Sequence, residues 1–504
     1  MNKKLFAMTS IILLALIATV YWFTLKEETK LPSDNWSRTF SVDIPASNYS
    51  NFQVLDKENS YILALRNFKQ QTIVSCDLDL SCKEARSLAL TSTSTNAWSD
   101  ETDSYYIKNY SLLHFSTKNG NKEIAQNVED FVKSDDTLVY WTKDRQLTVL
   151  KDGQEQAYGM DEPIYDVKIF DNNIFAITKD TQGDRFSVYT LTNEPNQLFK
   201  FTSTASLVSS LNIIEQSKEE YLLLMDATIV SGGAKSKVIQ QASFNLSPNQ
   251  TIQLTKLKFE HEEDGRTLDD ITQPTVLQQD GQTLIAFTAT YAGNKNQVFM
   301  GPLTNGTIQA TLLSKSGIRY ERPVILDKQT VAFLEMNGSQ RELVYTSSDP
   351  IKIEESKQIS KEDYKQAAYT QFSKSFNGLM LVLFAFAWII LAFGISYLST
   401  VILNRFKYER TYFLGFVIHV VSLLALQIFF LYRFTKVETI IANVPFITES
   451  WHFVGLLVVG AVLSVVPLFL ARYNPEEEDY TYMILYATFM NLAIMFFLVG
   501  PYIF

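Results

Sequence analysis

Cysteine and histidine are scarce in this chain. Its 504 residues include two cysteines and four histidines, which are too few for a disulfide-dense scaffold or a cysteine-rich zinc site. The two cysteines, Cys76 and Cys82, lie close together in the sequence, so they could close a small hairpin disulfide in an oxidising compartment. The alternative is a pair of reduced thiols, one of them buried on a strand.

Clusters of basic residues are also lacking. The formal net charge is -10 at pH 7, and no stretch of the chain has the grouped Lys and Arg that phosphate binding requires. We therefore expect no nucleic-acid partner.

Motifs for catalysis and cofactor binding are missing as well. The sequence has no H-E-x-x-H metal motif and no G-x-S-x-G nucleophile elbow. The densest group of ligand-type residues, E-H-E-E-D-G at 260–265, fits no calcium-loop spacing, so a solvated loop is predicted there. His114 stands alone on a strand-like segment, which favours a structural histidine. We predict no catalytic residue, no metal and no cofactor.

Five long apolar runs dominate the two ends of the chain. About 20 apolar residues suffice to cross a bilayer, and the four C-terminal runs contain no Asp, Glu, Lys or Arg. The first run is longer than a signal-peptide core and has a poor cleavage site, so a retained signal anchor is predicted, with a cleaved signal peptide as the alternative. The predicted transmembrane segments are residues 5–25, 376–403, 411–431, 451–471 and 482–504.

The basic residues beside these runs predict their orientation. Lys3 and Lys4 precede the first run, and three more basic residues lie between the second and third runs. The positive-inside rule puts both groups in the cytoplasm. Residues 1–4 are then cytoplasmic, and residues 26–350 form an extracytoplasmic domain. The Lys-, Asn-, Thr- and Ile-rich composition is typical of a low-GC Gram-positive bacterium.

The intervening region consists of short apolar runs separated by polar turns. Runs rich in β-branched and aromatic residues occur in pairs, such as 137–141 with 147–150, which is typical of β-hairpins. From the second pair on, the pairs recur at irregular spacings of about 37 to 60 residues, a range that brackets the four-stranded blade of a β-propeller. We predict an all-β, propeller-like domain of about five to seven blades. Two tandem β-sandwiches are the alternative.

Residues 351–375 have a different composition. Acidic and basic residues alternate there and Ala367–Ala368 favours a helix, so the segment is predicted to be a helical stalk that leads into the second apolar run. It could serve as a passive spacer or transmit movement of the outer domain.

Few polar side chains interrupt the predicted four-helix transmembrane bundle. Polar groups are costly in lipid, and His419 and Asn491 lie near the middles of their runs. They could share a depth in the bilayer and form a hydrogen bond across the bundle. Gly460 and Ser464 have the small-xxx-small spacing that lets two helices pack closely.

These features predict a membrane protein that displays a propeller-like binding domain outside the cytoplasm. It would act as a scaffold, sensor or accessory subunit of a cell-envelope complex, with the lipid bilayer and a membrane or envelope protein as its partners. Two alternatives remain open. One is an accessory subunit of a transporter or export system, and the other is an extracytoplasmic hydrolase or lyase with its active site in the propeller channel.

Overall fold

The computed structural model divides into two compact units. Leu31–Lys357 form the propeller unit, while Met1–Lys30 and Gln358–Phe504 form the helix unit. The structure describes residues 3–42, 44, 49–57, 60–67, 70–89, 96–170, 173–217, 219–279, 281–291, 294–315, 318–337, 340–434, 449–471 and 477–500.

The described part of the propeller unit is a seven-bladed β-propeller. Blades 1 to 3 are built from β2 (Asn51–Lys57), β3 (Ser60–Arg66), β4 (Gln70–Cys76), β5 (Cys82–Ala89), β6 (Ala97–Ser99), β7 (Asp103–Lys108), β8 (Ser111–Ser116), β9 (Gly120–Ala125), β10 (Val128–Ser134), β11 (Thr137–Thr142), β12 (Gln146–Lys151) and β13 (Gln154–Gly159). Blades 4 and 5 are built from β14 (Ile164–Phe170), β15 (Asn173–Lys179), β16 (Arg185–Leu191), β17 (Pro195–Thr202), β18 (Leu207–Ser217), β19 (Glu220–Ser231), β20 (Ala234–Asn245) and β21 (Thr255–Lys256).

The last two blades depart from the simple four-strand meander. Blade 6 has five strands, because β22 (Lys258–His261) runs parallel to the outer strand β26. Blade 7 takes its outer strand, β1 (Phe40–Ser41), from the N-terminal part of the chain. The other strands are β23 (Asp269–Gln279), β24 (Gln282–Tyr291), β25 (Asn294–Thr304), β26 (Thr307–Leu312), β27 (Arg319–Asp327), β28 (Thr330–Asn337) and β29 (Gln340–Ser347).

The N-terminal segment closes the ring of blades through a buried hydrogen-bond network. Ser37 N–H donates to the Ser347 carbonyl at 2.9 Å, and the Thr346 hydroxyl donates to the Ser37 carbonyl at 2.8 Å. The preceding Trp36 is 5% exposed and packs in the core shared by blades 6 and 7. The closure therefore combines backbone pairing with a large buried side chain.

The hydrophobic core of the propeller lies between blades. Single clusters contain side chains from blades 4 and 5, from blades 5 and 6, and from blades 7 and 1. Because each blade is covered on both faces, its second strand is apolar along most of its length, as in Tyr221–Met225, where every residue is buried. The first strands of successive blades contact one another in the order β10, β14, β18, β23, β27, β2, so they surround a central channel.

The structure confirms the propeller prediction and gives seven blades, the upper end of the expected range. The predicted run 137–141 lies in the second strand of blade 3, and 147–150 lies in its third strand. Blade 2 was not predicted as a separate unit. The alternative of two β-sandwiches does not hold, because the seven sheets form one ring closed by β1.

The helix unit contains helices that could cross a membrane. By length and composition alone, five described helices meet this requirement. The stalk predicted at 351–375 includes most of a short helix of the propeller unit and the beginning of a 45-residue helix that starts with a Ser360–Asp363 capping box. The predicted run 482–504 extends into 501–504, which lie outside the described residues. The helices are α1 (Lys3–Glu28), α2 (Pro350–Lys357, in the propeller unit), α3 (Lys361–Arg405), α4 (Thr411–Phe434), α5 (Ser450–Leu470) and α6 (Glu477–Leu498).

Two apolar clusters define the two ends of the helix unit. One contains Leu5 of α1 together with residues from the beginnings of α4 and α6 and the end of α5. The other contains Val20 of α1, Leu381 of α3 and residues from the end of α4, the beginning of α5 and the end of α6. Tyr480 of α6 bonds to Ser396 and Thr400 in the later part of α3 at 2.9 and 2.7 Å. Successive long helices therefore run in alternating directions.

Candidate functional site

The central channel contains a cavity of about 640 Å³. Its walls come from the first strands of blades 4, 5 and 6, namely β14, β18 and β23. The lining combines charged side chains such as Lys168 and Glu215 with apolar ones such as Ile213 and Val276. Clefts of this volume with a few polar groups on apolar walls suit small ligands or a short segment of a larger one.

One polar residue from each blade lies near the beginning of the first strands. We call this set the channel ring. In blade 5 the ring residue is Asp226 of β19, which pairs with Ser210 of the first strand. The ring adjoins the cavity. Pro274 of the cavity wall directly follows the ring residue Gln273, and Lys168 lies two positions after the ring residue Asp166. The channel ring consists of Asn51, Asn96, Asp130, Asp166, Asp226, Gln273 and Arg322.

Hydrogen bonds join ring residues of neighbouring blades. Arg322 Nη1 donates to Asn51 Oδ1 at 3.0 Å, and Arg322 N–H donates to Gln273 Oε1 at 2.7 Å. The backbone N–H of Gln273 donates in turn to Asp226 Oδ2 at 3.2 Å. On the other side of the ring, Asn96 Nδ2 donates to Asp130 Oδ1 at 2.9 Å. The ring thus links blades 1, 7, 6 and 5, and separately blades 2 and 3.

Several first strands are distorted where the ring residues lie. The register of β10 and β14 shifts at Asp130 and Asp166, and both carboxylates accept the next backbone N–H at 2.9 and 2.8 Å. Gln273 and Arg322 have φ values of 55° and 54°, a left-handed conformation that is unfavourable for such residues. Bulges of this kind redirect side chains and are frequent beside functional sites.

Burial changes the electrostatics of the channel ring. It raises the pKa of Asp130, assisted by the nearby Asp166 carboxylate and opposed by the Asn96 hydrogen bond. It also raises the pKa of Asp226 and lowers the pKa of the Arg322 guanidinium. The carboxylates and amides of the ring supply hydrogen-bond acceptors at this end of the channel, and the amides and the Arg322 guanidinium supply donors. Such an arrangement can hydrogen-bond a peptide backbone or a carbohydrate.

The channel ring was not among the residues predicted from the sequence. In blades 3 and 4 its signal is a polar residue directly before an apolar one, as in Asp130-Phe131 and Asp166-Val167, whereas Asp226 of blade 5 lies on a second strand. Such a residue is ordinary in any turn, so the pattern becomes visible only after the blades have been aligned.

The acidic group at 260–265 forms a closed network. His261 Nδ1 lies 2.9 Å from Asp264 Oδ1, and the Tyr291 hydroxyl donates to Asp264 Oδ2 at 2.8 Å. Glu260 accepts a hydrogen bond from Gln309 at 2.6 Å, and Glu262 accepts one from Thr311. Among the described residues, no group of three or more His, Cys, Asp or Glu side chains could hold a metal ion.

The Asp264 network predicts sensitivity to acid. Desolvation, which acts to raise the pKa, is outweighed by hydrogen bonds from Tyr291, Arg266 N–H and His261, and the pKa of Asp264 falls to about 2. This stabilisation is complete above about pH 4 and is lost as the pH falls towards about 2. We expect Asp264→Asn to reduce the loss of stability over this interval, as measured by urea unfolding. Asp152→Asn, in an exposed turn, should leave the acid dependence unchanged; an equal change in both variants would contradict the prediction.

His114 lies on β8 of blade 2 and is held on two sides. Its Nε2 atom is 2.6 Å from Asp103 Oδ1, and its ring stacks on Tyr105 with the centroids 4.5 Å apart. This arrangement orients the imidazole within the blade.

Cys76 and Cys82 form a disulfide at the β4–β5 hairpin of blade 1. Because the bond closes a loop with a sequence separation of only 6, its entropic contribution is small, about 2 kcal/mol. We expect reduction of the disulfide in the full chain to lower the free energy of unfolding, measured by urea unfolding, by about 2 kcal/mol. A Cys76→Ala/Cys82→Ala variant should not respond to reductant. An equal response to reductant in this variant would show that the effect does not come from the disulfide.

The predicted membrane-embedded polar residues lie inside the helix unit. His419 is fully buried, and its Nε2 atom is 2.8 Å from the Thr488 hydroxyl on α6. Asn491 is one helical turn further along α6 and is also buried. In the described structure, the hydrogen-bond partner of His419 is thus Thr488.

The small-residue pair lies on α5. A Cβ atom at Gly460 would be 3.4 Å from the Ile494 side chain of α6, so the glycine faces that helix at close range. Ser464 is buried, and its hydroxyl donates to the Ala461 carbonyl of the preceding turn at 2.6 Å.

Comparisons with known proteins find only distant similarities. No protein-family model and no curated protein matches the chain. Among solved structures, the N-terminal domain of Nup159 aligns at 10% identity over 62% of this chain and 96% of its own, with a TM-score of 0.39. The computationally designed Ika8 protein aligns at 11% identity over 60% and 99%, with a TM-score of 0.38. Hsv2 of Kluyveromyces lactis aligns at 9% identity over 56% and 90%, with a TM-score of 0.35.

Proposed function

We propose that the protein is a membrane-anchored binding protein whose extracytoplasmic propeller holds a partner at the channel ring. The observation that carries the proposal is the 640 Å³ channel cavity beside the ring, in a chain whose other unit has helices of membrane-spanning length. Scaffold, sensor and accessory transport subunit all share this binding step. The partner would be a protein, peptide or envelope polymer.

The basic residues of the helix unit support an extracytoplasmic propeller. Lys3 and Lys4 directly precede Leu5, which belongs to the same apolar cluster as the beginning of α4, and Arg405 ends α3. The segments that lead to and from the propeller emerge at the opposite end. There Lys374 is paired with Glu27 at 3.8 Å, which offsets one basic charge. The positive-inside rule then favours a cytoplasmic N-terminus.

Two channel carboxylates hydrogen-bond to the bulged first strands of their own blades. Asp130 accepts from Asn96 and from Phe131 N–H. Asp166 accepts from Val167 N–H and pairs with Lys168 at 2.9 Å. Carboxylates engaged in this way stabilise the bulges of the first strands.

Protease accessibility tests the orientation. Protease added to intact cells that express the full chain should remove the propeller unit and leave the helices protected. If the propeller survives in intact cells and is digested only in inverted vesicles, the proposed orientation is wrong.

Photocrosslinking tests the binding site. A photoreactive amino acid at Gln278, an exposed residue of the cavity wall, should yield a discrete adduct in cells, and Arg322→Ala should reduce its amount. The same amino acid at Lys122, exposed on the outer strand of blade 2, serves as the matched control. Equal adducts at both positions, or none at Gln278, would contradict a channel ligand.

A further inference from the structure

The segment that follows β20 of blade 5 pairs with the outer edges of three blades in succession. Asn249 N–H donates to the Gln197 carbonyl at 3.1 Å and Gln250 N–H to the Leu198 carbonyl at 2.7 Å, so this segment lies along β17 of blade 4 in parallel orientation. The chain then pairs antiparallel with blade 5 as β21 and parallel with blade 6 as β22. The outer edges of this propeller therefore accept extended segments in either direction.

The connection leaves the edge of blade 4 before β17 ends. The Phe199–Gln250 bridge is the last pairing between them in the described structure, and the chain then crosses to blade 5 over residues 251–254. A groove of about 570 Å³ lies between this crossing and the last residues of β17. It is lined by Arg185, Lys200, Phe201, Thr202, Thr204, Gln240, Ile252, Gln253 and Leu254.

The groove has an apolar floor and a polar rim. Phe201 is 7% exposed, and Ile252 and Leu254 pack on the same core cluster. Lys200 and Thr202 flank Phe201 on β17 and are exposed. This alternation suits an extended segment, whose side chains point alternately to the two faces of a sheet. Beyond the Phe199–Gln250 bridge, β17 continues for three residues, or about 10 Å at about 3.3 Å per residue.

The rim of the groove is basic. Arg185 pairs with Thr202 across β16 and β17, so its side chain projects from the same face as Lys200, and both side chains are exposed. Asp180 and Asp184 lie in the turn before Arg185. Asp180 accepts backbone N–H groups of this turn, including that of Gly183 at 2.7 Å, and its carboxylate also interacts with the Arg185 charge.

We propose that this groove binds an extended acidic peptide segment of another protein, which continues the pairing that Asn249 and Gln250 begin on β17. Backbone hydrogen bonds to the outer edge of β17 would supply the part of the affinity that does not depend on the peptide sequence. Carboxylates on alternate residues would face Lys200 and Arg185, and an apolar residue between them would cover Phe201. This site is separate from the channel ring, so either one can exist without the other.

A displayed peptide library tests the groove directly. The full-length protein in detergent micelles would be panned against random octapeptides, and synthetic versions of the enriched peptides would be measured by fluorescence anisotropy. We expect acidic residues at alternate positions. Arg185→Glu/Lys200→Glu should weaken binding by at least about tenfold, because attraction at both positions becomes repulsion. Lys122→Glu, a charge reversal on the exposed outer strand of blade 2, is the matched control.

Backbone methylation separates strand addition from simple charge attraction. N-methylation at alternate residues of the best peptide should abolish binding, since it removes the donors that pair with β17. Failure to enrich any peptide above the double charge reversal overturns the proposal. Binding that survives N-methylation also overturns it, because the groove would then be a general site for anionic polymers. Arg322→Ala at the channel ring should leave peptide affinity unchanged.

Discussion

Replacing Gly301 with alanine should lower the free energy of unfolding of the propeller by about 3 kcal/mol, the upper part of the range for overpacked cores. Gly301 is buried on β25, where the backbone of β26 approaches closely. A Cβ atom there would be 2.1 Å from the Gln309 carbonyl oxygen and 3.0 Å from the Ala310 Cα. Both are backbone atoms, so no side-chain rotation can relieve the clash, and the two strands of blade 6 must separate.

Gly159 provides the matched control for this substitution. It ends β13, its φ is not in the left-handed region, and a Cβ atom there would meet nothing within 4 Å. Gly159→Ala should be neutral or stabilise the protein by up to about 1 kcal/mol, because alanine restricts the unfolded chain. Both variants can be compared by urea unfolding of the full-length protein. Equal stabilities for the two variants would show that β26 yields without cost.

Removing the side chain of Trp36 should cost about 3 to 5 kcal/mol, the range for large-to-small changes of aromatic residues in a core. The indole is 5% exposed and packs among residues of blades 6 and 7, including Tyr320 and Phe333. It also precedes the Ser37 network that fixes β1 on blade 7. Trp36→Ala should therefore both leave a cavity and loosen the closure of the ring.

Limited proteolysis distinguishes loosened closure from general destabilisation. Trp36→Ala should expose the segment around Phe40 and Ser41 to cleavage under conditions in which the remaining blades resist. Trp36→Phe, which fills most of the cavity, should recover most of the lost stability. Leu78→Ala, at a side chain that is 59% exposed, should match the unchanged protein. Protection of the N-terminal segment in Trp36→Ala would refute its role in closure.

The second strands of the blades were predictable from the sequence, whereas the outer strands were not. The second strands, such as Tyr221–Met225, are buried on both faces by neighbouring blades, and this burial produces the continuous apolar runs that the sequence displays. The outer strand β9 has four exposed residues in succession, so its composition resembles that of a loop. Blade 2 was not predicted as a separate unit. Its first strand, Ala97–Ser99, has only three residues, which is too short to give an apolar run.

The candidate site could not be predicted, because its members are scattered. Asn51 and Arg322 are 271 positions apart in the sequence, and ring closure alone brings them to 3.0 Å. His419 illustrates the same limit within the helix unit. Its depth follows from its position in an apolar run, whereas the choice of Thr488 as its partner depends on the rotation and register of two packed helices.

The amino-acid sequence by itself determined which kind of secondary structure each unit contains. The length of an apolar run and the alternation of strands and turns follow from the local free energies of transfer from water and from backbone preferences. They therefore gave five membrane-length helices and an all-β domain. Only the tertiary structure decided that seven blades close through β1, that polar residues of neighbouring blades bond to one another at one end of a channel, and that a groove lies beside the outer edge of blade 4. These features depend on contacts between residues far apart in the chain, which no local pattern encodes.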